Sequence, residues 1–331
     1  MSTPRGRRSE RVLVACLREI AERRGLVMRC TSDDWLVTLA RGEAIGRVFG
    51  YDFDLNSAVA QIVATDKAAT SALLADACVP AVPHELIVHP RSAEYGAPEG
   101  TFPRALALFE RWDRDVVLKP NDGTAGVGVT RARSPAELDR ALHVLLGKHR
   151  AIAISPFVDV EEESRVLLLD EDCLLLYDKI RPEIVGDGVA TVAELLVRAL
   201  DSEPTAALAA AFEGGDGLDP REVLRPGQTV RADFRHNLAH GSRARVLAAD
   251  DPRRGPLVEL ARSAARAIGI RLAAVDVVTP ARGAPRVLEI NSGVLLERFA
   301  KQAPDGRRMA VEIYDRIVSA QLHLERDGGP R

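Results

Sequence analysis

Two apolar runs near the C-terminus, AAVDVV (273–278) and VLEIN (287–291), constrain the fold more than any other feature of the chain. Both have the valine- and isoleucine-rich composition of strands, and the segment PARGAP (280–285) between them is a turn composition. Strand, turn and strand in that order read as an antiparallel hairpin. Centred on the turn, the hairpin sets Asp276 directly opposite Glu289. Asn291 lies two residues on and so shares the face of Glu289. Like charges placed opposite each other destabilise a sheet unless something neutralises them. A hard divalent cation with oxygen ligands does so, and Mg²⁺ carried by a nucleotide suits such a set. Pairing with the plentiful arginines is the alternative.

The chain has 331 residues, room for about two domains or one large multi-lobed one. Hydrophobic residues make up 46% and charged residues 28%, which suits a globular protein. No apolar stretch approaches the ~20 residues of a membrane span. The start MSTPRGRRSER is basic but has no apolar core, so it does not read as a secretory signal. The four cysteines (Cys16, Cys30, Cys78 and Cys173) are widely spaced, which favours buried thiols in a reducing cytoplasm over disulfides or zinc. A formal net charge of -3 argues against a dedicated nucleic-acid binder.

Residues 1–8 read as a solvated tail and 9–25 as an amphipathic helix with Val12, Leu13, Cys16, Leu17 and Ile20 on one face. Strand-like pieces follow at 26–30, 34–40 and 44–50. A helix is expected over 66–78, a strand at HELIVHP, a loop over 91–103, and strands at DVVLKP and GVTRAR. SPAELDRALHVLLG carries a capping box, with Ser134 as N-cap, Pro135 in the first turn and Glu137 at the third position, and Gly147 as the stop. AIAISPFVDV reads as a strand. SRVLLLDEDCLLLYDKIRP reads as two strands joined by a turn at 170–172. Helices are expected in TVAELLVRAL, LVELARSAARAIG and MAVEIYDRIVSAQLHLE, with an irregular insertion over 201–232. Several antiparallel hairpins mixed with helices make the class α+β, or mixed α/β, rather than an all-parallel sheet.

The segment DGTAGVG (122–128) joins two strands. Glycines let backbone N–H groups approach an anion closely, so the run fits a phosphate cradle. It lacks the Gly-Lys-Ser/Thr of a Walker loop, and a strand follows where a dinucleotide fingerprint needs a helix. A plain hairpin turn explains it equally well. Lys119, three residues earlier, stands near the end of an apolar strand. A lysine there needs an anionic partner or must reach water along the sheet edge. Only five of the 45 basic residues are lysines (Lys67, Lys119, Lys148, Lys179 and Lys301). Arginine is the default surface cation of this chain, so each lysine asks for a reason. A third patch, FRHNLAHGSR (234–243), gathers Arg235, His236, Asn237, His240 and Arg243 in an expected loop that could hold a carboxylate or a phosphoryl group. A solvated polar loop accounts for it as readily.

Taken in order, TDKAAT (65–70), VVLKPNDGTAGVGV (116–129), RVLLL (165–169), IRPEIVGDGVATVAEL (180–195), HNLAHGS (236–242), AAVDVV and VLEINSG resemble the ATP-grasp superfamily. The likeness is to the carboxylate–amine ligase branch near cyanophycin synthetase, glutathione synthetase and ribosomal-protein glutamate ligases, and it covers about 55–300. The resemblance implies two α+β lobes clasping ATP, a central lobe over 63–155 and a C-terminal lobe over 156–325. A short N-terminal α/β domain (1–62) would precede them and a tail (326–331) follow. It implies that Lys67 and Lys119 hold the phosphates and that the loop with Gly123, Thr124, Ala125, Gly126 and Gly128 closes over them. Phe157 and Val158 would meet adenine through the backbone, Glu163 the ribose, and Lys179 a phosphate. Asp276, Glu289 and Asn291 would ligate Mg²⁺ as two ions, with Mn²⁺ able to substitute. Arg181, Asn237, His240 and Arg243 would serve the acyl substrate and the reacting phosphoryl group.

The implied activity is amide-bond formation by an ATP-dependent ligase in the cytoplasm through an acyl phosphate. Its substrates would be a small carboxylic acid and an amine, an amino acid or small peptide, with no nucleic-acid or membrane partner and a homodimer as the default assembly. A small-molecule kinase on the same fold and a non-catalytic nucleotide-binding module are the alternatives. Two departures stand out. Ser155-Pro156 occupies a hinge that is usually acidic or amide, and Ser-Gly-Val-Leu-Leu-Glu follows Asn291 where relatives carry a Pro-Gly turn.

Overall fold

Alternation of apolar and polar residues decides which strand face becomes core in this chain. The computed structural model describes residues 10–95, 100–123, 126–181, 183–199, 219–231 and 242–324. Contacts divide these into two compact units. One is formed by the described residues up to Ser57 and those from Ser292 on, the other by Ala58–Asn291.

In the first unit, helix α1 (Val12–Arg24) is followed by strands β1 (Val27–Thr31), β2 (Leu36–Arg41), β3 (Ala44–Phe49) and β4 (Asp52–Phe53), which form an antiparallel sheet in that order. The α1 face expected from the 3.6-residue period is buried: Leu13, Cys16, Leu17 and Ile20 have no exposed surface. Gly25 ends the helix in the left-handed conformation, at φ 63°.

The second unit starts with α2 (Ala58–Thr65) and α3 (Lys67–Asp76). Strand β5 (Glu85–Val88), helix α4 (Thr101–Arg111), strands β6 (Val116–Pro120) and β7 (Thr130–Ala132), helix α5 (Pro135–Leu146) and strand β8 (Ala151–Pro156) follow. The four strands form an antiparallel sheet in the order β5-β8-β6-β7, packed on α4 and α5 through Phe109, Leu118, Leu142 and Ile154. Half of the expected capping box is present: Ser134 Oγ accepts from the Glu137 N–H at 3.3 Å, but the Glu137 carboxylate accepts from the N–H of Arg133, one residue before the cap, at 2.6 Å. Gly147 ends α5 at φ -64°, without the left-handed turn its identity suggests. The expected loop over 91–103 gives way to α4 at Thr101. Its Pro103 falls in the first turn, where the missing N–H costs nothing. The apolar run 58–65, left unassigned in the sequence, is helical.

Beyond the turn 157–159 the chain enters a second sheet. Its elements are β9 (Val160–Leu169), β10 (Asp172–Ile180), β11 (Glu183–Val185), α6 (Val192–Ala199), β12 (Thr229–Arg231), β13 (Arg243–Val246), α7 (Arg254–Ile268), β14 (Leu272–Pro280) and β15 (Arg286–Asn291). Five strands pair antiparallel in the order β13-β10-β9-β14-β15. The turn at 170–172 is the expected hairpin, with Asp170 at φ 52°. One face of this sheet buries Val166, Leu168, Leu176, Val275 and Val277 against Leu257, Ala261, Ala264 and Ile268 of α7. The opposite face carries the charges described below. Strands β11 and β12 pair separately and share a small core with α6, including Ile184, Val192, Leu196 and Leu224.

Helices α8 (Glu297–Gln302) and α9 (Gly306–Gln321) return to the first unit. There Glu297 accepts from the Val12 and Leu13 N–H groups at 2.8 and 3.2 Å and so caps α1. Arg24 and Asp315 form a two-pronged ion pair at 2.5 and 2.6 Å.

The helix-packed face holds the second sheet in place. Leu168→Ala leaves a cavity there, with an expected loss of about 2–5 kcal/mol in unfolding free energy by urea denaturation. Unchanged stability would mean that this face is not a packed core.

Candidate functional site

The register of β14 and β15 is the one expected from the turn. Ala274 pairs with Asn291, Val275 with Ile290 and Asp276 with Glu289, and a bulge follows before Val277 pairs with Val287. The row continues across the sheet, since Arg165 of β9 pairs with Asp276 and Tyr177 of β10 pairs with Arg165. Tyr177, Arg165, Asp276 and Glu289 therefore stand side by side on four strands. Arg165 grips the Asp276 carboxylate with two bonds, at 2.7 and 2.6 Å, and Lys179 approaches the same carboxylate at 2.9 Å. Lys179 also bonds Glu163 at 2.5 Å. The repulsion between Asp276 and Glu289 is thus relieved by two protein cations.

Burial dominates the electrostatics of this face. It pushes the Asp276 carboxyl up, but Arg165 and Lys179 outweigh it and hold the group well below the usual carboxylate range. Burial raises Glu163, and the Asp276 charge raises it further against the pull of Lys179. Burial and Arg165 lower Lys179, but Asp276 and Glu163 overcome them and its ammonium lies above the ordinary value. Glu289 and Asn291 are half-buried at the end of the row, and the Asn291 amide donates to Glu289 at 3.2 Å.

Lys119 comes from β6 of the other sheet. Its side chain is buried, 7% exposed, and it makes no hydrogen bond or ion pair among the described residues. Burial pushes its ammonium from 10.5 down to about 8; Glu289, Glu163 and Asp276 pull it back and Lys67 opposes them. Lys67 opens α3, whose first turn is capped by Asp66 and by Asn121. The Asp66 carboxylate accepts from the Ala69 N–H at 2.8 Å, and Asn121 accepts from the Lys67 and Ala68 N–H groups, each at 3.2 Å. The Lys67 ammonium donates to the Gly123 carbonyl at 2.6 Å, tying α3 to the glycine-rich loop. Gly126 and Gly128 sit at φ 71° and 74°, a conformation that side chains rarely adopt.

The structure therefore brings Lys67 to Gly123, and gathers Lys119, Glu163, Lys179, Asp276 and Glu289 with Asn291. Glu163, Lys179 and Arg181 line a cavity of about 90 Å³, and Arg181 donates to the Val160 carbonyl at 2.8 Å. Phe157 is in the turn between the two sheets, but its N–H donates to the Asp115 carbonyl at 2.9 Å. Val158 follows it, half-buried. Arg243 is exposed on the edge strand β13. Thr124, Ala125, Asn237 and His240 lie outside the described residues. Sequence reasoning missed Arg165, Asn121 and His84. Arg165 lies two residues from Glu163 inside an apolar strand, so the period of two puts both on one face, while its partner Asp276 is 111 residues away.

Among the described residues no group of three or more His, Cys, Asp or Glu side chains could by itself hold a metal ion. The Asp276, Glu289 and Asn291 donors are all oxygen and fall short of six. That suits Mg²⁺, which keeps water and phosphate ligands and takes few from protein.

Residues 222–317 match the RimK-like ATP-grasp domain family. The bifunctional glutathione biosynthesis protein GshAB of Streptococcus thermophilus is 22% identical over 286 residues, 78% of this chain and 36% of that protein. Cyanophycin synthetase of Nostoc sp. is 28% identical over 182 residues, 53% of this chain and 18% of that protein. Among solved structures, the bifunctional glutathione synthetase of Pasteurella multocida superposes with a TM-score of 0.56 at 17% identity, covering 93% of this chain and 44% of that one. D-alanine–D-alanine ligase of Bacillus anthracis gives 0.53 at 14% identity, covering 81% and 70%. The mixed α+β fold is therefore the ATP-grasp fold, while this chain spans about a third of the length of the GshAB relative. The domain match includes Arg243, Asp276, Glu289 and Asn291; Lys67, Lys119, Glu163, Lys179 and Arg181 precede it. No helix among the described residues is long and apolar enough to cross a membrane.

The buried Lys119 charge is a cost to the fold that a ligand would offset. Its folded pKa lies below the ordinary value, so the penalty is full below about pH 8 and fades as pH rises toward 10.5. Without nucleotide, Lys119→Met should raise the unfolding free energy at pH 7 by up to about 3 kcal/mol. The gain should shrink as pH rises from 8 to 10. A destabilised Lys119→Met protein at pH 7 would contradict this.

Proposed function

We propose that the chain is an ATP-dependent ligase joining a carboxylic acid to an amine, an amino acid or small peptide, through an acyl phosphate. The observation that carries this reading is Lys119, a buried ammonium without a partner among the described residues, set toward a face of carboxylates. Such a cation calls for an anion: a polyphosphate would satisfy Lys119, and Mg²⁺ held by the carboxylates would offset their charge toward it. The ligase relatives and the RimK-like domain support the same reading.

In this reading Lys67, Lys119 and the loop 123–128 hold the phosphates. Asp276, Glu289 and Asn291 hold Mg²⁺, as two ions with Mn²⁺ able to substitute, which would neutralise charge on the transferring phosphoryl group. Arg165, Glu163 and Lys179 fix the orientation of Asp276. The Phe157 N–H is already engaged, so backbone recognition of adenine falls to Val158 and its neighbours. A carboxylate is a poor electrophile because it is already anionic; phosphorylation by ATP gives it a leaving group. The amine then attacks, phosphate departs, and Arg181, Asn237, His240 and Arg243 stabilise the oxyanion. Closure of the glycine loop would keep water from the acyl phosphate. We further propose cytoplasmic location and a homodimer.

Free phosphate separates this chemistry from a kinase, which leaves the phosphoryl group on its product. A screen of paired acids and amines with ATP, read by phosphate release and product mass, should show release that requires both partners. Transfer of phosphate onto a hydroxyl product would overturn the reading. In the same assay Lys119→Arg should lose at least about 100-fold in turnover, because a planar fork does not replace a point charge in a buried site. Near-normal activity would show that Lys119 is misassigned.

A further inference from the structure

His84 lies just before β5, outside every motif that points to nucleotide binding. It is buried, 6% exposed. Its backbone N–H donates to Ser71 Oγ at 2.9 Å. Ser71 stands four residues after Lys67 on α3, so the bond pins His84 to the helix face that carries Lys67. The imidazole bonds the Val82 carbonyl, which makes that ring nitrogen the protonated Nδ1. Nε2 is then a lone-pair acceptor, and among the described residues it has no partner. Lys67, Ser71, His84 and Glu289 line one cavity of about 10 Å³. Burial, with the Lys119 and Lys67 charges, holds the ring neutral, so it stays an acceptor.

Lys67 is a donor with capacity to spare. An ammonium has three N–H groups. In this structure the Gly123 carbonyl takes one at 2.6 Å, and the Asn121 carbonyl is a weaker second partner at 3.4 Å. That arrangement spends the charge on the backbone of the loop that must meet the phosphates. We infer that His84 is a positioning residue for Lys67: its Nε2 receives an ammonium N–H when Lys67 exchanges the Gly123 carbonyl for a nucleotide phosphate. The imidazole fixes the lysine from behind, so that the charge points at the ligand rather than folding back onto the loop. A buried acceptor left unmet costs stability, and the exchange gives it a use.

The inference rests on the proposed nucleotide site, and the test separates the two. Calorimetry with Mg²⁺ and a non-hydrolysable ATP analogue is run on the full chain, on His84→Leu and on His84→Gln, whose amide oxygen can stand in for Nε2. His84→Leu should weaken binding about tenfold or more, as for loss of a hydrogen bond to a charged group, and His84→Gln should recover most of it. In the ¹⁵N-histidine-labelled wild type, the His84 Nε2 resonance should move upfield on saturation, and this shift should vanish in Lys67→Met. Wild-type affinity in His84→Leu, or an unmoved Nε2 resonance in saturated wild type, overturns the role of His84 while leaving the site intact. The resonance decides the question even if His84→Leu does not fold. No binding to the wild type overturns both readings.

Discussion

The Asp276 carboxylate, held by Arg165 and Lys179 in the middle of a sheet, is the interaction on which the rest of the site depends. An isolated charge at this depth would carry a desolvation penalty of several kcal/mol. Two cations and the neighbouring Glu163 turn it into a connected set whose members fix one another's side chains. Removal of any one would leave its partners buried and unpaired, which is a stronger constraint on the residue types than the net stability of the set. Lys119 joins this set through space from the other sheet of the same unit, and it alone among these cations has no protein partner among the described residues.

The period of two along each strand lets one sheet do two jobs. Val166, Leu168, Val275 and Val277 face α7 and hold the sheet together. Glu163, Arg165 and Asp276, displaced by one position, form the charged row on the other face. A register slip of one residue would put the carboxylates into the helix-packed core, so the hydrophobic pattern and the chemistry enforce the same alignment. The bulge between Asp276 and Val277 interrupts the β14–β15 ladder just past the Asp276–Glu289 pair, where the pairing no longer needs to serve the site.

Local features were legible in the sequence. The turn 280–285 fixed the Asp276–Glu289 register, Ser134 and Glu137 marked the start of α5, and Asp170 and its neighbours marked the β9–β10 turn. These depend on residues close in the chain. The α2 helix was not legible, because a short apolar run suits a strand or a helix equally and only its packing decides. The start of α4 was hidden by Pro103, which reads as a loop signal unless its place in the first turn is known. Arg165 and Lys179 relieve the repulsion between the two carboxylates, and they come near Asp276 only because β9 pairs with β14, about a hundred residues on, while β10 pairs with β9. An oxygen donor set remains for a cation, but repulsion alone no longer requires one.

If Lys119, without a partner among the described residues, and the carboxylate row together form a site for a polyphosphate and its metal, binding depends on that metal. Titration of the full chain with ATP by calorimetry, in Mg²⁺ and again in excess EDTA, tests this most directly. Binding should be clear with Mg²⁺ and should fall steeply when the metal is removed, since the triphosphate would then meet Asp276 and Glu289 without a cation between them. Equal binding in the two conditions, or none in either, would contradict it.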